Sequence, residues 1–310
     1  MKGFKQAFYL VLTLMMLSGC QQIVEVDLPP HEPQLVVNAL MTAGKQARVV
    51  VSKSRGVTGR DTSFSWISDA EVQINVGGSP WEALAYIDSF ETDSDGQTLF
   101  FPGYYSKKEV PFGDEIEINV TADLGEARSR MTIPPQLSAT VDTFQLDVLR
   151  DASNLFQSLI RIKLENPPEL SYYELIATLW YRIDGVDSLL KESMSFSSQL
   201  GFTPFDGNTS ILLTNELLNG EVASVSLICF TPFRATTTVI RPQPDRLVLE
   251  IRTCSPEYYN YLTSYQEHIG SQVAGFSLFT TEPLPMYNNI EGGLGILAGY
   301  STRFDTLMLQ

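Results

Sequence analysis

Histidine is almost absent from these 310 residues: His31 and His268 are the only two. An imidazole-based metal centre needs several convergent rings, and no HExxH or paired CxxC run supplies one. The chain also lacks a GxSxG nucleophile elbow and a glycine-rich loop ending in Gly-Lys-Ser/Thr. Bases are scarce, with 21 Lys and Arg against 36 Asp and Glu, a formal charge of −15. They are scattered rather than gathered into a stripe, which argues against nucleic acid as a partner. No apolar run reaches the roughly 20 residues that a membrane-crossing helix needs.

What is there begins with a leader. Lys2 and Lys5 precede the apolar run Ala7 to Leu17 (AFYLVLTLMML), and small residues follow, as in a secretory signal. Leu17-Ser18-Gly19-Cys20 resembles the bacterial lipobox. That resemblance implies cleavage after residue 19, a lipid thioether on Cys20 and membrane lipid as a partner. Several acyl chains hold far more firmly than one myristoyl group. The alternative is an ordinary secretory signal with an incidental Cys20. Without residues 1–19 the 21 bases lose Lys2 and Lys5, so that 19 bases face 36 acids.

Residues 20–34 read as a proline-punctuated tether with too few apolar residues to pack alone. From Leu35 the chain becomes a series of short β-branched and aromatic runs, among them QLVVNALMT, QARVVVSKS, AEVQINV and EIEINVTA. Several alternate with period two and are bounded by Gly, Pro, Asp and Ser. With 44% hydrophobic and 11% aromatic residues, there is ample material for a core. The expectation is a mainly β chain of two antiparallel β-sandwich domains, immunoglobulin-like, with one short helix in the second. MTIPPQ, residues 131–136, marks the boundary, giving an N-terminal domain over 35–134 and a C-terminal one over 135–310.

The helix is predicted near 256–269. Ser255 suits the cap, Pro256 the first position and Glu257 the first turn, and Gly270 closes it. Tyr258, Tyr261, Leu262, Tyr265 and Ile269 recur at helical spacing, as a buried stripe or as a carbohydrate platform. Cys229 and Cys254 flank the turn RPQPD, residues 241–245. They form a possible disulfide if that turn pairs the flanking strands, or two buried free thiols if it does not. TDSDGQ, residues 92–97, has half the spacing of a calcium loop. Pro102 stands where the closing Glu belongs, so a hairpin turn is the better reading. No metal ligand set, cofactor or catalytic residue is expected from these patterns.

NNIEGGLGILAGYS, residues 288–301, contains glycines at 292, 293 and 295 and reads as a tight turn or bulge that lets a final strand pack into the second domain. Through Asn289, Ile290, Gly292-Gly293, Leu294-Gly295 and Ile296 it resembles the carboxy-terminal signature of a group of Bacteroidota-type outer-membrane lipoproteins of unknown function. PQLVVNALMT, DAEVQI at 69–74, the IPP boundary and SPEYYNYL agree with the group in order. The resemblance implies a lipid-anchored envelope protein, often encoded beside TonB-dependent transporters, with an outer-membrane protein as partner and no catalytic residues to carry over. The expected function is therefore a non-catalytic accessory or binding protein. Glycan binding through Trp66, Trp81, Phe100, Tyr104 or Tyr105 is the alternative, followed by a carboxylate-based hydrolase. The ligand, and whether the protein faces the periplasm or the cell surface, are not named by these residues.

Overall fold

A computed structural model describes residues 31–56, 65–92, 98–150, 156–183, 185–199, 202–205, 207–230, 243–274 and 284–309. The leader, Cys20 and the tether to residue 30 lie outside these residues, as do residues 93–97 of the acidic run and Arg241 and Pro242 of the proline turn.

The chain is mainly β. Its strands are β1 (Leu35–Thr42), β2 (Gln46–Lys53), β3 (Glu71–Val76), β4 (Glu82–Ala83), β5 (Ala85–Thr92), β6 (Thr98–Glu109), β7 (Glu115–Ala122), β8 (Gly125–Thr132) and β9 (Ala139–Arg150). They continue with β10 (Phe156–Glu165), β11 (Tyr172–Arg182), β12 (Leu190–Ser193), β13 (Ser195–Phe196), β14 (Phe202–Phe205), β15 (Ser210–Thr214), β16 (Val222–Phe230), β17 (Gln243–Cys254) and β18 (Leu294–Met308). Among the described residues one α-helix, α1 (Pro256–Ala274), precedes β18. Ten strands form an open sheet in the order β14-β15-β11-β17-β18-β1-β2-β6-β5, with β12 beside β11. Two four-stranded sheets accompany it, β4-β3-β7-β8 and β13-β16-β10-β9.

Alternation explains how these sheets share cores. In β1, Leu35, Val37, Ala39 and Met41 are buried while the residues between them are not, the period-two pattern of a strand with one packed face. Those side chains join Val49 and Val51 of β2, and Val72, Ile74, Ile116, Ile118, Val120 and Ala127 of the first small sheet, in one cluster. A second cluster unites Tyr173, Leu175, Leu247 and Leu249 of the large sheet with Ile160, Ile162, Val225 and Leu227 of the other small sheet. A third lies on the opposite face of the large sheet, where Tyr258 and Leu262 of α1 cover Leu212, Cys254, Ile296 and Ala298.

Several expectations need correction. The last strand does not belong to the second half alone. Residues 294–300 of β18 pair with β1, and residues 300–308 pair with β17. Ile290 and Leu297 accordingly sit in the first cluster. The β1–β18 pairing is parallel, so the strands are not all antiparallel. The helix runs to Ala274, five residues past its expected end, with Gly270 inside it. Ser255 is its cap: its Oγ accepts the Tyr258 N–H at 3.3 Å. Of the tyrosine stripe, Tyr258 is buried, whereas Tyr265 and Ile269 are exposed.

The glycines of the C-terminal run are required by close approach. A Cβ on Gly292 would collide with the Glu126 carbonyl and one on Gly295 with that of Val37, and both backbones have positive φ. Asn289 completes the turn, its Nδ2 donating to the Leu297 carbonyl at 2.8 Å and its Oδ1 accepting the Leu297 N–H at 2.9 Å. The run is therefore a joint. It ties β8 to the large sheet through reciprocal Arg128 and Glu291 backbone hydrogen bonds of 3.0 and 2.9 Å.

Candidate binding groove

The outer face of the β4-β3-β7-β8 sheet carries a polar recess. Its side chains follow from strand alternation: where Ile116, Ile118 and Val120 of β7 point to the core, Glu117, Asn119 and Thr121 lie on the other face. The register places Gln73, Asn119 and Arg128 in one lateral row, Glu71, Thr121 and Glu126 in a second, and Asn75, Glu117 and Arg130 in a third. Two adjoining cavities of 550 and 470 Å³ lie over these rows and share Asn119, Arg128 and Glu291.

Arg128 and Glu291 form the groove's ion pair, Nε to Oε2 at 2.7 Å. Both side chains are largely exposed, so the pair adds little to stability and serves to position its two groups. Gln73 donates to Glu71 Oε1 at 2.7 Å. Glu117, Asn119, Glu126 and Arg130 have no hydrogen bond or ion pair to another side chain among the described residues, leaving their polar atoms to solvent or a ligand.

Trp81 forms the rim. It is 42% exposed and follows the turn Gly77-Gly78-Ser79-Pro80 between β3 and β4. That turn is fixed by Asn75, whose Nδ2 donates to the Ser79 carbonyl and whose Oδ1 accepts the Gly78 N–H at 3.2 Å. The Ser79 N–H also donates to the Val76 carbonyl at 3.0 Å. Trp81 borders a third recess of 740 Å³ as well, with Pro80, Ile74, Val76 and Lys107. A large apolar ring is thus held in water by a hydrogen-bonded turn, an arrangement that preorganises contact with a partner.

The other residues singled out from the sequence are dispersed. Cys229 and Cys254 are free and buried. Cys229 pairs in register with Ser158 and Phe196 in a small sheet, and Cys254 with Tyr172 and Tyr300 in the large one. The strands flanking the proline turn enter different sheets, so they never pair and the possible disulfide is not formed. Burial pushes the Cys229 thiol up to about 12 and Cys254 well above the ordinary thiol range. His31 bonds Ser54 Oγ at 3.0 Å and His268 bonds the Leu284 carbonyl at 2.6 Å, far from one another in the chain and in separate surroundings. Tyr104 is core, its hydroxyl donating to the Ile67 carbonyl and accepting the Ala70 N–H. Tyr105 is half-buried, Trp66 is 37% exposed, and the Phe100 side chain lies outside the described ones. Among the described residues no group of three or more His, Cys, Asp or Glu is placed to hold a metal.

A buried polar cluster in the second half has a structural explanation. Glu174 accepts Arg252 Nη1 at 2.8 Å and the Tyr258 hydroxyl at 3.0 Å, and Arg252 Nε donates to Glu250 at 2.6 Å. The guanidinium also lies 4.6 Å from the centre of the Tyr300 ring. Burial opposes its charge, but Glu174, Tyr300 and Glu250 outweigh that and raise its pKa. The cluster fastens α1 to the sheet.

Of the groove, sequence reasoning named Trp81 and missed Arg128, Asn119 and Glu291. Alternation in EIEINV and EARSRM was the available signal for the first two. Glu291 reaches Arg128 from 163 residues away.

Fold and groove together define a mainly β protein built around one large open sheet, with an exposed aromatic beside a polar recess. Residues 21–304 match the family described as "Domain of unknown function (DUF4249)", and the chain belongs to it. Neither a curated protein nor a solved structure matches.

Proposed function

We propose that the protein is a lipid-anchored envelope lipoprotein of the outer membrane that acts by binding, without catalysis, as an accessory to an outer-membrane transport system. The observation that carries the binding part is the groove: Trp81 held exposed by Asn75, beside rows in which Glu117, Asn119, Glu126 and Arg130 have polar atoms left to solvent or a ligand. The lipid part is supported by Leu17-Ser18-Gly19-Cys20 after a basic, apolar leader. The transporter association is supported by the resemblance at Asn289 to Ile296. We also read each half as a β-sandwich, supported by the side chains that each small sheet shares with the large one. We read an immunoglobulin-like arrangement within each half, with the parallel β1–β18 pair joining the two.

Labelling cells with a fatty-acid analogue tests the anchor. Wild type should incorporate label and fractionate with outer membrane, and Cys20→Ser should do neither. Label retained in the Cys20→Ser protein would remove the anchor assignment. Affinity purification of the lipidated protein from its native membrane tests the accessory role, with a transporter expected at a fixed stoichiometry and an enzyme-like turnover assay expected to be silent.

A further inference from the structure

We propose that the groove beside Trp81 binds a neutral oligosaccharide; the inference rests on the binding role above and names its ligand class.

Three observations point to a sugar. Trp81 offers an exposed apolar ring on a fixed turn, and the C–H face of a pyranose packs on such a ring while its hydroxyls stay available at the edges. No acceptor meets its indole N–H among the described residues, so a hydrogen-bond donor is also offered. The adjoining row of Gln73, Asn119 and Arg128 provides amide and guanidinium planes. The two amides each pair a donor with an acceptor and the guanidinium adds donors only, a set that matches adjacent hydroxyls.

Charge selects within the class. Glu71, Glu117, Glu126 and Glu291 line the groove with only Arg128 and Arg130 against them, and Arg128 is already paired. The whole chain is acidic as well. Sulfated or uronic-acid sugars would be repelled, and neutral ones would not. Extent selects within it again. The two recesses share Asn119, Arg128 and Glu291 and so form one trough, which suits several linked rings better than a single one.

An extended peptide is the competing occupant. Peptides commonly bind a sheet by adding a strand to its edge. On β8 that edge is taken at Arg128, which already exchanges backbone hydrogen bonds with Glu291.

The test is a glycan array with the full mature chain, followed by titration calorimetry on the hits. Neutral oligosaccharides should bind, and anionic ones of the same length should not. Trp81→Ala should weaken binding about tenfold or more, as at an aromatic hot spot. Trp81→Phe should weaken it less, and Asn119→Ala should weaken it while leaving the circular dichroism spectrum unchanged. Trp66→Ala should have no effect. An empty array, a preference for anionic sugars or peptides, or binding that survives Trp81→Ala would each overturn the proposal. Transporter capture by Trp81→Ala, measured in parallel, separates the two readings. Capture retained with an empty array removes the sugar site and spares the accessory role, whereas sugar bound without any capture does the reverse.

Discussion

Glu174 and Arg252 face each other across β11 and β17, in register and 2.8 Å apart, with only 4% and 20% of their side chains exposed. Removing one partner of a buried pair leaves an uncompensated charge, at a cost of about 3–5 kcal/mol. The two partners are not equivalent, because Arg252 keeps Glu250 when Glu174 is lost. Arg252→Ala should therefore destabilise more than Glu174→Gln, and the double variant should cost less than the sum. Urea unfolding of the four proteins reads this cycle directly.

Glycine substitutions should divide by position. Gly292→Ala and Gly295→Ala place a Cβ against the carbonyls of Glu126 and Val37 at positive φ, and each should cost about 1–3 kcal/mol or prevent folding. Gly270→Ala meets nothing and lies within α1, so it should stabilise by up to about 1 kcal/mol. Thermal melts of the three variants check the sign of each effect.

A fragment covering residues 21–135 should not fold on its own, because the first cluster needs Ile290 and Leu297. Joining residues 284–310 to it through a flexible linker should restore a cooperative transition. A folded spectrum for the fragment alone would show that β18 is dispensable to the first half.

The thiols and one phenol predict the alkaline behaviour. Cys229 and Cys254 should resist alkylation near neutral pH until the protein unfolds, then both react, and unreduced mass spectra should contain no peptide joining them. Burial also raises the Tyr173 phenol to about 12 from its ordinary 10. A raised folded-state value means its stabilising contribution is complete below pH 10 and is lost as pH rises toward 12. Unfolding midpoints measured from pH 8 to 12 should fall across that upper interval.

Half-buried strands were legible in the sequence because their alternation is local: Leu35, Val37, Ala39 and Met41 announce β1 without any knowledge of its partners. The helix start was legible for the same reason, since Ser255, Pro256 and Glu257 act within one turn. Its end was not, because an exposed Gly270 costs about 1 kcal/mol against alanine and the helix absorbs it. The dual membership of β18 and the separation of Cys229 from Cys254 depend on which distant strands pair, and turn chemistry at Pro244 says nothing about that. In the groove, Trp81 could be noticed as a residue type. Alternation could place Asn119 and Arg128 on an outer face, but only the fold brings Glu291 to Arg128.

The position of β18 also orders events in time. Leaving a ribosome or a translocation pore, it follows every other strand described, yet it is the immediate neighbour of β1, which emerges among the first. The first core therefore has an open side until β18 has emerged. Pairings this distant in sequence make folding slow. If the chain is exported as we propose, such delay would be useful: the chain would stay extended enough to pass, and both halves would close once β18 has paired with β1 and β17.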